Sequence, residues 1–228
     1  MMKKILHSIF FLMFSCFITG QSYSQNMVPN SDDLLDKLRL NKSIGGHKDV
    51  SYKDISGTPF IFEDFQTGEV ILKTGEKHTA DMRYDKYAGE MQFRIKGIVY
   101  AIALPEAIDY IEIKGMRFVY STTNSGSDYM QVLADGKCKL LAEKRVRIQD
   151  AEPPKPYQMA KPARFIDLED LIYLKLADKE AVRINSRKDL LNVLNDKKDQ
   201  VSQFLKEENL KLSDTEDLKK VIAFYNSL

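Results

Sequence analysis

Few side chains in this sequence have the chemistry of a nucleophile or a metal ligand. Cys16 and His7 lie close to the start of the chain, which leaves Cys138, His47 and His78 in the rest of it. A structural zinc site needs four Cys or His ligands at close spacing, and one cysteine cannot form an intramolecular disulfide. The sequence therefore predicts no metal site, no cofactor and no disulfide, and it favours a small, half-buried strand residue at Cys138.

The acidic residues occur as near neighbours, among them Glu63 and Asp64. A catalytic carboxylate pair must face one cleft with its groups about 5 to 9 Å apart. Neighbours in a strand point to opposite faces, so surface charge is the favoured interpretation and no catalytic residue is assigned. His78 has no recognisable nucleophile beside it in the sequence. It is therefore predicted to be an exposed side chain of a hairpin and not a catalytic residue.

Basic residues are concentrated between Lys137 and Arg164, with eight lysines and arginines against three acids. Such a strip could contact anionic lipid head groups or an acidic glycan, or it could protect an edge strand from aggregation. Tyrosines along the same predicted sheet could stack on sugars or pack across strands. The candidates for a ligand-binding surface are Lys139, Lys144, Arg145, Arg147, Tyr84 and Tyr87.

The start of the chain has the order of a secretory signal peptide. Two lysines precede an apolar stretch over residues 5–18, and small polar residues follow it. The stretch is shorter than the roughly 20 residues that span a bilayer as a helix. We predict cleavage after Ser24, with cleavage after Gly20 as the alternative. A rival interpretation is lipidation at Cys16, which would tether the chain to a membrane. The bulky Phe14 argues against lipidation.

Charge excludes one class of function. The chain has 34 basic and 33 acidic residues, and loss of the leader with Lys3 and Lys4 leaves 32 against 33. A near-neutral chain lacks the overall positive charge that is typical of nucleic-acid binders. No nucleic-acid partner is therefore expected.

Glycine-containing dipeptides separate short alternating runs after residue 59, as expected for β-hairpins. If Lys96 and Gly97 form a turn, Phe93 faces Tyr100 and both strands present apolar side chains to one face. Equivalent turns at Lys114-Gly115 and Asp135-Gly136 place Ile113 opposite Met116, Ile111 opposite Phe118, Glu112 opposite Arg117, and Leu133 opposite Cys138.

These patterns predict an α+β protein built on an antiparallel β-meander, either a curled sheet or a small barrel. A short N-terminal helix from Ser31 and a C-terminal three-helix tail complete it. Ser186 with Asp189, and Ser213 with Glu216, have the spacing of capping boxes, and Asp196 could cap the helix between them. The predicted parts are residues 1–24 (signal peptide), 25–58 (short helix and loop), 59–150 (meander), 151–164 (Pro-rich linker), 165–185 (β-hairpin) and 186–228 (helical tail, with helices at about 187–194, 197–208 and 214–226).

Three segments carry a family resemblance: DISGTPFIFEDFQTGEVILKTGEKHTADMRYDKYAGEMQF, QVLADGKCKLLAEKRV and the ending RKDLLNVLNDKKDQVSQFLKEENLKLSDTEDLKKVIAFYNSL. The chain resembles a group of uncharacterised secreted proteins of Bacteroidota, especially flavobacteria, over most of its length after the leader. The resemblance implies an envelope protein of a Gram-negative cell, periplasmic or outer-membrane associated. The resemblance implies no particular activity and identifies no functional residue in this chain.

The sequence favours an exported, non-catalytic envelope protein that binds a partner or scaffolds an assembly. The expected partner is an envelope protein or glycan, with peripheral membrane contact as a further alternative and no transmembrane segment after cleavage. Two other functions stay open. One is a hydrolase of an envelope polymer acting through Glu63 or Asp64, and the other is a carrier that holds a lipid or another apolar ligand inside a closed barrel.

Overall fold

The computed structural model describes residues 41–42, 52–154, 156–157, 159–177 and 179–228. The predicted leader, the predicted helix from Ser31, Cys16 and His47 lie outside these ranges. Within the described ranges, no helix combines the length and the apolar character needed to cross a membrane.

The structure is α+β, and its strands form one antiparallel sheet that is dominated by hairpins. The spatial order is β1-β5-β4-β3-β2-β6-β7-β8-β9-β10-β11. In the described part of the chain the two ends of this order do not pair, so the sheet is open and the small barrel is not formed. The strands are β1 (Asn41–Lys42), β2 (Gln66–Leu72), β3 (Lys77–Asp85), β4 (Glu90–Ile95), β5 (Ile98–Ala101), β6 (Ile108–Ile113), β7 (Met116–Thr123), β8 (Gly126–Ala134), β9 (Cys138–Gln149), β10 (Arg164–Leu176) and β11 (Val182–Arg183).

Two hairpins turn where the sequence predicts. Lys114 and Gly115 have φ of 49° and 75°, the positive values of a type I′ turn. This turn pairs Ile111 with Phe118, and the equivalent turn at Lys96 and Gly97 pairs Phe93 with Tyr100. The predicted registers of both hairpins are therefore confirmed.

β2 pairs with β6 although the two strands are not consecutive in the chain, so a hairpin cannot account for this contact. Residues 102–107, which include the 3₁₀ helix Pro105–Ala107, carry the chain from β5 back across β4, β3 and β2. Ile102 and Ala107 of this connection pack on the apolar face of the sheet. The cluster that they cover consists of Val70, Leu72, Met82, Tyr84, Met91, Phe93, Ile108, Ile111, Ile113, Phe118 and Tyr129.

The predicted pairing of Leu133 with Cys138 is wrong. Val132 pairs with Leu141 and Ala134 with Leu140, which leaves Leu133 as an extra residue in a β-bulge. Cys138 is fully buried, because a layer of helices covers this part of the sheet.

The segment expected to be a Pro-rich linker connects two strands of one long hairpin. β9 and β10 pair from Cys138 with Leu176 to Gln149 with Arg164. The prolines lie in the connection, where no ladder hydrogen bond from their nitrogen is needed. The hairpin predicted about residues 178 and 179 also forms, because β11 pairs with β10.

Helices α1 (Arg187–Val193), α2 (Lys198–Glu207) and α3 (Thr215–Ser227) follow the sheet, with a 3₁₀ turn over Asn195–Lys197. Ser186 caps α1 as predicted, since its side chain accepts a hydrogen bond from the Asp189 N–H. The other two caps are corrected. Asp214, rather than Ser213, caps α3, and α2 begins without a side-chain cap because Asp196 accepts the Tyr225 hydroxyl at 3.0 Å instead.

The helices pack on β9 and β10 through the buried side chains of Cys138, Leu140, Leu174, Leu190, Leu194, Val201, Leu205, Leu218, Val221, Ile222 and Tyr225. One polar contact fixes their position. Asn226 of α3 accepts the Cys138 N–H at 2.8 Å and donates to the Cys138 carbonyl at 3.0 Å and the Asp135 carbonyl at 3.3 Å. The last helix therefore holds the turn between β8 and β9.

Candidate functional site: a hollow between β6 and β7

Of the two tyrosines expected on a ligand-binding surface, Tyr84 is buried and Tyr87 is half-buried against other aromatic rings. Tyr84 is 1% exposed, and its hydroxyl donates to the Asp128 Oδ1 at 3.0 Å. Tyr87 lies edge-on against Tyr52 and Phe165, at centroid distances of 6.0 and 5.8 Å. Both contacts are cross-element packing of the kind that stabilises a sheet.

The four basic candidates do not share one surface. Side chains alternate along β9, so Lys144 lies on the opposite face from the odd-numbered candidates. Lys144 pairs with Asp170 at 2.6 Å, and Lys139 pairs with Asp135. Arg147 is exposed, and Arg145 is half-buried. Of the four, only Lys139 lines the hollow described below.

That hollow forms where the sheet splits. The β6–β7 ladder ends at Ile111 with Phe118, although both strands continue. On its other side, β6 pairs Tyr110 with Ile71 and Ile108 with Leu72, so Asp109 is an extra residue. A bulge bends its strand and increases the local twist, and this one coincides with the point where β6 leaves β7.

The gap encloses a cavity of about 570 Å³. This volume lies within the range of about 300 to 1,000 Å³ that is usual for ligand pockets. One wall comes from β6 with the chain around it, a second from β7, and a third from the β8–β9 turn and the end of β10. Its lining is Lys73, Pro105, Glu106, Ile108, Asp109, Tyr110, Arg117, Val119, Tyr120, Ser121, Thr122, Asp135, Lys139, Lys175 and Ala177.

An ion cluster crosses the mouth of the split. Arg117 lies 3.2 Å from Asp135 and 3.6 Å from Glu112, and its guanidinium stacks 4.2 Å from the centre of the Tyr110 ring. Burial acts to raise the pKa of Asp135, but the hydrogen bond and the charge of Lys139 outweigh it, so the pKa lies below its usual value. Asp135 is therefore held as a carboxylate.

Five other polar side chains of the lining have no ion-pair or hydrogen-bond partner among the described residues. Lys73 and Lys175 form no ion pair there, and neither do the acids Glu106 and Asp109. Ser121 is 1% exposed, and its hydroxyl has no hydrogen-bond partner among the described residues. A buried hydroxyl without a hydrogen-bond partner lowers the free energy of unfolding, and this one lies in the strand that borders the hollow.

The buried carboxylates elsewhere are explained by the fold. Asp85 accepts the Tyr52 hydroxyl and the N–H groups of Tyr87 and Ala88, each at 3.0 Å, and so shapes the β3–β4 turn. Burial raises the pKa of Asp85, against these hydrogen bonds. Asp128 accepts the Tyr84 hydroxyl, and burial again raises its pKa.

The residues considered for catalysis are not brought together. Glu63 and Asp64 are both exposed, and His78 is 4% exposed, contrary to the exposure expected of it. The Nε2 of His78 lies 3.5 Å from the Oε2 of Glu76. The described residues contain no group of three or more Asp, Glu, His or Cys side chains arranged to hold a metal ion.

Sequence reasoning missed most of the hollow because it results from a non-local pairing. The bulge at Asp109 depends on β2 lying beside β6, and neither strand shows this in its own pattern. One signal was present: the sequence from Leu104 to Asp109 interrupts the alternation with Pro105, which a continuous strand would not contain.

The chain was compared with models of protein families, with curated proteins and with solved structures, and none of the three comparisons gives a match. The resemblance to secreted proteins of Bacteroidota stays a prediction.

Proposed function

We propose that this protein is an exported, non-catalytic binding module of the cell envelope, and that its ligand binds in the hollow between β6 and β7. The observation that carries the proposal is the split in the sheet. It leaves a cavity of about 570 Å³ that is bordered by two lysines and two acids with no ion-pair partner among the described residues. Concave sites with a few convergent polar groups are typical ligand sites.

The chemistry of the lining supports binding rather than catalysis. The Asp135 carboxylate is held ionised and is engaged by both Lys139 and Arg117, so it forms ion pairs rather than serving as a free proton donor or acceptor. The aromatic ring of Tyr110 is occupied by Arg117 on one face and positions that guanidinium. These groups are arranged to recognise charge and shape.

A capture experiment tests the hollow as the binding site. The full chain without its leader would be immobilised and exposed to envelope extract from the cells of origin, beside Lys175→Gln and the control Arg147→Gln. Arg147 is an exposed cation of β9 that lies outside the hollow. Both variants lose one positive charge, so net charge alone cannot separate them.

We expect the specifically captured species to be lost with Lys175→Gln and retained with Arg147→Gln. Loss with Arg147→Gln alone would move the site to the basic strip of β9. Equal capture by both variants, or no specific species with the unaltered chain, would contradict the proposal for the hollow.

Export is proposed on the basis of the lysines, the apolar stretch and the small residues that begin the chain. Fractionation followed by N-terminal sequencing tests this. We expect a product in the envelope that begins after Ser24 or after Gly20. An intact leader on a cytosolic product would refute it.

A further inference from the structure

We propose that the ligand of the hollow is an extended acidic peptide segment, which binds by adding a strand to the edge of β7 that β6 leaves free. This inference rests on the proposed binding function and names its ligand class. It is carried by the backbone of β7 and by the charge of the neighbouring wall.

The backbone of β7 has hydrogen-bonding groups directed into the gap. In a hairpin with a two-residue turn, the residues that flank the turn exchange hydrogen bonds, and such pairs then recur at every second residue. Ile113 with Met116 and Ile111 with Phe118 are these pairs, so the next would join Asp109 to Tyr120. That pair does not form, which leaves the N–H and C=O of Tyr120 facing the hollow.

The next such residue shows that this edge can accept a strand-like partner. Thr122 also directs its backbone toward the gap, and its carbonyl accepts the Ala181 N–H at 2.9 Å. The loop after β10 therefore already bonds one position of the edge. An added strand would begin where this loop ends and continue toward the point at which the β6–β7 ladder stops.

Peptide recognition by strand addition takes affinity from main-chain bonds and specificity from alternate side chains. Side chains of a bound strand alternate between two faces, so every second one would point to the same wall. A backbone edge pairs with any peptide, and the walls of the hollow must therefore set the preference.

The wall of β9 and β10 favours a negative charge. Lys139 and Lys175 are register partners there, and Lys139 is already paired with Asp135. Arg117 is shared between Asp135 and Glu112. Lys175 of this wall, like Lys73 elsewhere in the lining, has no acid within ion-pair distance in the described structure, so an Asp or Glu side chain of the ligand would complete the cluster.

The test uses fluorescein-labelled eight-residue synthetic peptides. One set carries Asp at every second position with mixed neutral residues between, and a matched set carries Lys instead. A third set repeats the acidic peptides with N-methyl groups on alternate amides, which removes the donors of one strand edge without changing charge. Fluorescence polarisation gives the affinity, and amide hydrogen exchange followed by NMR reports on the Tyr120 N–H.

We expect the acidic set to bind, the basic set not to bind, and exchange at the Tyr120 N–H to slow at least tenfold on binding. Lys175→Gln should weaken the binding of the acidic peptides by up to about fivefold, whereas Arg147→Gln should change their affinity by less than about 1.5-fold. Methylation of the alternate amides that face β7 should abolish binding.

The N-methyl groups can be placed on the odd-numbered or on the even-numbered amides of the peptide. If both of these methylated peptides still bind, strand addition is overturned. Equal binding of the basic set would overturn the charge preference. If no peptide binds, this inference fails. The proposed function then stands if envelope capture still depends on Lys175, and it fails too if capture does not.

Discussion

Replacing Gly136 or Asn226 should reveal how the last helix holds the β8–β9 turn. Gly136 has φ of 147°, and a Cβ atom placed there would lie 2.4 Å from the Nδ2 and 2.7 Å from the Cγ of Asn226. No real Cβ contact is so short, so Gly136→Ala must displace the Asn226 side chain. Displacement also breaks the hydrogen bonds that Asn226 makes with Cys138 and Asp135.

The expected magnitudes follow from these contacts. Asn226→Ala leaves the Cys138 N–H without its partner, which costs about 1 to 3 kcal/mol of unfolding free energy. Gly136→Ala adds backbone strain of about 1 to 3 kcal/mol to the loss of the same hydrogen bonds. In the double variant, Asn226→Ala removes both the side chain that the new Cβ would contact and the hydrogen bonds that this contact would break. Its destabilisation should therefore fall short of the sum of the single variants by about 0.5 to 3 kcal/mol.

Urea unfolding followed by circular dichroism measures all three variants beside Asn192→Ala, an exposed asparagine of α1. This control should stay within about 0.5 kcal/mol of the unaltered chain. Equal urea dependence in all variants would show that the denatured state is unchanged. Strict additivity of Gly136→Ala and Asn226→Ala would refute the reasoning, because it would mean that the two residues do not meet.

Two further predictions concern pH and capping. Burial raises the pKa of Asp128, so the folded state holds this proton more tightly than the unfolded chain does. The contribution of Asp128 to the unfolding free energy is therefore most favourable below its ordinary pKa of about 3.9 and decreases as pH rises through the raised folded value. Asp128→Asn should remove this part of the pH dependence in urea titrations from pH 3 upward, and an unchanged profile would contradict it. Ser186→Ala should cost about 0.5 to 2 kcal/mol, because the Asp189 N–H loses its acceptor, while Ser186→Asp should retain most of the stability. Equal thermal midpoints for these two variants would count against a capping role.

Local patterns were sufficient for the hairpins and for part of the helical region. A two-residue type I′ turn requires positive φ at both positions, which glycine adopts readily, so the Lys-Gly pairs placed the β4–β5 and β6–β7 turns and the pairing that follows from them. Alternation then put Phe93 and Phe118 on the buried face. The cap at Ser186 depends only on four consecutive residues, which is why spacing could find it.

The remaining features depend on contacts between distant parts of the chain. Ser213 and Asp214 both have a side chain that can cap α3, and spacing alone could not choose between them. Asp196 binds Tyr225, 29 residues away, instead of the helix that follows it. The hollow also depends on a long-range contact, since the bulge at Asp109 forms only when β2 pairs with β6.

The same long-range pairing has a consequence for the order of folding. Most neighbouring strands of the sheet are also neighbours in the chain, and hairpins of that type form in about 1 to 10 μs. β2 and β6 must instead find each other across three intervening strands, with the entropy of the larger loop opposing them. We expect a preformed unit from β2 to β5 and another from β6 onward, whose joining is the slow, committing step of folding and the one that brings Lys73 to the wall of the cavity.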